Sequence, residues 1–411
     1  MEVNRPWSPV DRMKLRVKPT VTIAILLVLG ARAQNRPAAA PTPSLSQSVP
    51  SADQPPNGRN NYAGDDTCAG CHQERAGSYH RTAHYLTSRL PSKDSILGDF
   101  SPARNLLKTK NPNLYFRMEA RSDGFFQTAV QGIEPYTSTR SERFGLVVGS
   151  GGKGQTFLFW KGELLFQLPI SYWREVGWVN SPGYTDGVAY FDRPVNPRCL
   201  ECHGTQFESL SPPPNRYRRT GFILGITCEK CHGPGQRHAQ SYASKSANVP
   251  SAAGILDPAR FSRQQQMDLC AWCHAGQGLS LVPSFSYLPG EPLEKYVELS
   301  QPDPDAVIDV HGSQIELLEK SRCFQSSTMT CLTCHDVHAP EKAPAAFSEY
   351  CLGCHKLETH PALGQPIAEH CVDCHMPKQQ TGLIVFDWQG RKISPEVRNH
   401  WIKVYRPTPS N

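Results

Sequence analysis

Cys331-Leu-Thr-Cys334-His335, Cys351-Leu-Gly-Cys354-His355 and Cys371-Val-Asp-Cys374-His375 follow one another at intervals of twenty residues in the last part of this chain. Two thiols three positions apart, followed at once by an imidazole, suit one task closely. The thiols add across the two vinyl groups of a haem, and the adjacent histidine lies under the ring and ligates iron.

The pattern occurs four more times, at Cys68-Ala-Gly-Cys71-His72, Cys199-Leu-Glu-Cys202-His203, Cys228-Glu-Lys-Cys231-His232 and Cys270-Ala-Trp-Cys273-His274. With 15 Cys and 15 His in 411 residues, independent draws would give roughly 0.02 such motifs per chain. Chance is therefore no rival account. Zinc sites use Cys-x-x-Cys pairs in twos without a histidine after each, and a disulfide framework likewise leaves the histidines unexplained. A thioredoxin-type pair would occur once, beside a strand-helix-strand pattern. The motifs use every cysteine but Cys323, which reads as an inert thiol near the haem of Cys331.

Composition agrees with this reading. Only 38% of residues are hydrophobic and there are 36 prolines, so a protein-only core looks hard to build, and seven haems would provide apolar bulk. Arg12, Lys14, Arg16 and Lys18, the apolar run Val21 to Leu29 and Ala31-Arg32-Ala33 read as a signal peptide cleaved after Ala33. Haem attachment through thiols calls for such export. Of the formal charge of +6, residues 1–33 hold six Lys or Arg against two Asp or Glu; the remainder carries 37 against 35, or +2. Two propionates per haem then make the holoprotein acidic, so the basic pI argues nothing for nucleic acid.

In chain order, residues 34–61 are rich in Pro, Ala, Ser and Gln and read as a tether. A first haem segment occupies 62–110. Its His80 and His84 have the spacing of a zinc protease pair, but Arg81 stands where a catalytic Glu would be. Residues 111–197 alternate apolar and polar and predict a β-rich insertion, with a hairpin from Gln155–Trp160 and Glu163–Leu168 and a neighbouring strand over Arg143–Val148. Gly149 to Gly154 lacks the Lys-Ser/Thr of a phosphate loop and reads as a turn. Tyr172, Trp173, Trp178 and Tyr184 form an aromatic loop ahead of the second motif, which reads as packing in preference to a substrate pocket. Residues 198–411 form a six-haem domain, with a helix over Gln314–Lys320 and strands over Leu383–Phe386 and Trp401–Tyr405.

Eight histidines lie outside the motifs: His80, His84, His238, His311, His338, His360, His370 and His400. Seven irons need seven second imidazoles. We assign His84, His238, His311, His338, His360, His370 and His400 as those metal ligands and set His80 aside as a solvated helix residue. Met376 reads as packing. Iron between two imidazoles is closed to substrate and suits electron transfer. The alternative is a multihaem oxidoreductase acting on nitrogen or sulfur compounds, with one open iron under the aromatic loop.

Three stretches carry a family resemblance: Cys228 to His238, His311-Gly312 leading to Cys323 and Met329 to His338, and Cys371 to Pro377. They resemble the multihaem c-type cytochromes of the cytochrome c-554 type, which are related to hydroxylamine oxidoreductase and pentahaem nitrite reductase. The resemblance implies His238, His338 and His311 as distal ligands. The chain has no Cys-x-x-Cys-Lys and seven motifs in place of eight, which argues against those two enzyme activities. The expected fold is a mainly α and irregular multihaem cytochrome with a haem-packed core plus a small β-rich insertion. It would hold seven covalently bound haem c on the fourteen motif cysteines. Its expected partners are redox proteins, either other cytochromes or a membrane quinone-oxidising complex, and its expected place is the periplasm or cell surface of a bacterium.

Overall fold

The computed structural model describes residues 61–244, 254–276, 278–299, 314–357, 360, 365–382 and 384–405. The expected signal peptide, nearly all of the tether and His311 lie outside them. The described residues belong to one compact unit.

Two short helices, Asp65–Cys71 and Gln73–Tyr79, precede ten strands: β1 Ser88–Arg89, β2 Leu106–Lys108, β3 Leu114–Arg121, β4 Gly124–Ile133, β5 Tyr136–Arg143, β6 Leu146–Val148, β7 Gly154–Lys161, β8 Leu164–Gln167, β9 Ile170–Trp173 and β10 Gly177–Asn180. An antiparallel meander joins β2, β3, β4 and β5, and a second sheet runs β1-β6-β7-β9-β10 with β8 paired to β7. Strict alternation makes β3 a strand with one dry face, because Leu114, Phe116 and Met118 point inward while Tyr115, Arg117 and Glu119 are half-buried. Those three join Phe157 and Phe159 of β7, Ile170 and Trp178 in one apolar cluster. Burying each such side chain contributes about 1.5–3 kcal/mol. Gln127 of β4 is also buried. It donates from Nε2 to the Ile170 carbonyl (3.0 Å) and accepts from the Ile170 N–H (2.9 Å), tying the meander to the second sheet. The hairpin expected around Gly162 is present, with Lys161 opposite Leu164.

The mainly α expectation does not hold. Helix and strand contribute 28% and 26%; among the described residues only Arg263–His274 exceeds nine residues of α-helix. The β-rich part is not small either. Its strands hold the cluster above, and β1, in the first haem segment, pairs with β6. Outside it the chain adds antiparallel pairs of three-residue strands: Gly278–Ser280 with Val297–Leu299, Lys378–Gln380 with Glu396–Arg398, and the hairpin Phe386–Trp388 with Arg391–Ile393. Alternation over three residues is too short to see in sequence. Trp401–Tyr405 is not a strand, because its backbone pairs elsewhere: the Lys403 N–H donates to the His375 carbonyl at 3.3 Å. Of the other expected strand, Leu383 lies outside the described residues and Phe386 opens Phe386–Trp388.

The second half also has its own apolar cluster, contrary to a core made by haem alone. Met267, Ala271 and Trp272 of the helix Arg263–His274 pack with Leu293, Ile315, Leu318 and Phe324, and the motif cysteines Cys270, Cys273 and Cys331 lie against them. That helix begins with a capping box between Ser262 and Gln265. The predicted helix after His311 is found as Gln314–Glu319.

Candidate functional site

Every motif starts on a helical turn. The first four and the last lie in α-helices, Asp65–Cys71, Pro197–His203, Cys228–His232, Arg263–His274 and Cys371–His375. The fifth begins in the 3₁₀ turn Cys331–Thr333, and the sixth begins at the end of the helix Pro344–Leu352. On such a turn, residues i, i+3 and i+4 share one face, so both thiols and the imidazole address the same space. That space is a cavity of about 1910 Å³, lined by residues of the first five motifs together with His84, His238 and His338. A site for a drug-sized ligand rarely exceeds about 1,000 Å³. No two of the fifteen cysteines are joined in a disulfide, and no three His, Cys, Asp or Glu side chains converge as a metal cluster among the described residues.

Histidine rings face each other across the cavity and beyond it. His72 faces His238 with ring centres 6.5 Å apart, His274 faces His84 at 6.1 Å, and His232 faces His338 at 6.1 Å. His335 faces His400 at 6.2 Å and His375 faces His360 at 5.9 Å. A metal–imidazole bond of about 2 Å, with about 1.1 Å more to the ring centre, puts two rings in line across one metal about 6.2 Å apart. Each pair joins one motif histidine to one histidine outside the motifs. The residues thus fit haem iron held between two imidazoles. The Nδ1 of His238 is buried without a hydrogen-bond partner in the described residues, a nitrogen still in want of one.

Local contacts aim these rings. The His84 carbonyl accepts from the Ile226 N–H at 3.0 Å, and Gly225 makes the close approach possible. Its φ is +68°, and a Cβ there would stand 2.2 Å from the Tyr85 carbonyl oxygen. His232 and His375 direct Nδ1 to the carbonyl oxygens of Leu256 and Lys403, both at 2.9 Å, and His203 pairs Nδ1 with the Thr87 hydroxyl at 2.8 Å. These contacts leave Nε2 for a metal. His84 opens onto the cavity, yet the protein around it strips enough water to hold its imidazole below the usual histidine range, as it does for His400. Burial and Arg75 act alike on His338. Neutral imidazole is the form that binds metal.

Two candidates are placed differently. His370 faces Asp373, with Nδ1 3.0 Å from Oδ2, and among the described residues it meets no motif histidine. His355 is exposed after its motif. His80, set aside above, is 2.6 Å from an Asp65 oxygen and stacks on Tyr85. The aromatic stretch expected as a loop lies largely in β9 and β10: Trp178 sits in the sheet core and donates to the Asp99 carbonyl, Trp173 lies against Phe386 and also lines the cavity, and Tyr184 stacks on Tyr190. Cys323 is half-buried beside the thiols of Cys334 and Cys351.

Some residues escaped the sequence reading. Glu229, inside the third motif, is buried and accepts from the backbone N–H groups of Ala63, Gly64 and Gly235, which clamps the first motif to the third. Glu201 in the second motif is buried too and accepts from the Phe285 N–H at 2.6 Å. Acidic residues at the variable positions of two motifs were the available signal. Glu341, 3.2 Å from the His335 ring, had none.

A family model described as cytochrome c554 and c-prime matches residues 186–233, which span the second and third motifs. With the seven motifs and the facing rings, this match supports a multihaem c-type cytochrome. Within that class, the fold is similar to the crystal structure of the outer cell wall cytochrome OcwA, at a TM-score of 0.52 and 17% identity over 84% of this chain and 80% of that one. No curated protein matches the chain.

Proposed function

We propose that this protein is an exported heptahaem cytochrome, each haem held by one motif, that relays single electrons between redox proteins. The observation that carries this reading is the set of five facing ring pairs. We assign His238, His84, His338, His400 and His360 as second ligands to the irons of His72, His274, His232, His335 and His375. His311 and His370 are the remaining candidates for the irons of His203 and His355. Bound in this way, haem supplies a one-electron couple whose potential the protein tunes by ligation, hydrogen bonding and burial.

The chain's part is spacing. Cys68 lies beside Cys228, Cys202 beside Cys273, Cys270 beside Cys331, and Cys351 beside Cys371. Neighbouring motifs therefore carry neighbouring haems, and electrons hop from one to the next. The expected partners are other cytochromes or a quinone-oxidising complex. Export rests on the signal-like first 33 residues and on the likeness in fold to an outer cell wall cytochrome; among the described residues no helix is long and apolar enough to cross a membrane.

Intact mass and electron paramagnetic resonance of the purified protein test this together. The mass should exceed that of the mature polypeptide by seven haems, and the oxidised spectrum should be low-spin. A smaller increment would show that some motif is unused, and a high-spin signal would show an open iron.

A further inference from the structure

Glu341 lies between the fifth motif and the helix Pro344–Leu352, with Oε1 3.2 Å from the Nδ1 of His335. The contact links a carboxylate to the ring that faces His400 across the fifth iron position. His84 and His400 also feel the charge of Glu341, so the residue stands where the fourth and fifth sites meet. Three other motif histidines have neutral acceptors or partners at Nδ1: the carbonyls of Leu256 and Lys403 and the hydroxyl of Thr87. A carboxylate pulls harder on the Nδ1 proton than a carbonyl does, which leaves more negative charge on the ring and on the metal it binds. Extra charge favours the ferric over the ferrous state.

We propose that Glu341 holds the haem carried by Cys331, Cys334 and His335 at a lower reduction potential than the haems of His232 and His375. This rests on the multihaem reading above. The bound haem would supply a one-electron ferric/ferrous couple, its electron coming from a neighbouring haem or redox protein, while the proton would stay on Nδ1 of His335 and no bond would form or break. Glu341 is a positioning and tuning residue that acts through His335. Cys331 lies beside Cys270, and both pack on one apolar cluster, so this low-potential site is next to the fourth motif and electrons crossing between the fourth and fifth haems meet a step there. The Glu341 side chain is 66% exposed, and water screens its field at a distance. The effect therefore belongs to the hydrogen bond and to one haem.

The test is a spectroelectrochemical titration of the full holoprotein, wild type against Glu341→Gln, with single haems resolved by paramagnetic NMR. Glutamine keeps the size and offers a neutral carbonyl. Haem content and low-spin state should not change, one low-potential wave should move to higher potential, and the rest should hold. Glu349→Gln, which removes an exposed charge from the neighbouring helix, should leave that wave in place. An unmoved wave in Glu341→Gln, or an equal shift in Glu349→Gln, would overturn the assignment. A wild-type protein without seven haems would instead count against the reading on which it rests.

Discussion

Replacing His84 with alanine should open one iron and leave the others closed. The His84 ring faces His274 at 6.1 Å, a gap that two metal–imidazole bonds of about 2 Å fill. Alanine removes one of those two ligands and leaves room for a free imidazole. If seven irons are low-spin at the start, the low-spin signal should fall by about one seventh, with a matching high-spin signal, and haem content should stay constant. Added imidazole should restore the lost fraction. A merely structural histidine would lower the melting temperature and leave the spectrum alone. An unchanged spectrum at full haem content would refute the pairing of His84 with His274 and weaken the ring-spacing argument for the other four.

Other outcomes follow from the same geometry. The rings of His84 and His274 are inclined by 77° and those of His360 and His375 by 87°, whereas the other three pairs lie between 15° and 32°. Low-temperature resonance spectra should therefore contain two kinds of low-spin signal, the more anisotropic one from the two crossed pairs. Gly225→Ala should destabilise the protein by about 2 kcal/mol or more, from the left-handed backbone and the clash at Tyr85, and should disturb the fourth haem first, as read by melting and by the high-spin signal. Glu229→Ala leaves three backbone N–H groups without their acceptor and should cost about 3–5 kcal/mol in thermal unfolding.

The chemistry of this chain was legible because it is local. Cys-x-x-Cys-His needs only one helical turn to aim all three side chains, and seven repeats leave no other reading. The five outside histidines that face motif rings were also among the ligands expected from sequence. Their pairing was not legible. His84 faces His274 and His338 faces His232, and such partners are brought together by loops that the pattern does not encode. The failure at Trp401–Tyr405 has the same root, since that segment takes its hydrogen bonds from the last motif. The misjudged fold class came from averaging. A hydrophobic content of 38% looks meagre over the whole chain, yet Phe116, Phe157, Phe159 and Ile170 concentrate it in two sheets. Glu341 could not be read at all, because its contact with His335 depends on the loop's path.

If each of the seven motifs holds a haem, the redox centres should be countable as electrons. Coulometric titration of the purified protein measures them most directly: seven electrons should be taken up per chain, with every haem band shifting on reduction. Uptake of clearly fewer than seven, or a folded protein that accepts none and has no colour, would contradict the heptahaem reading.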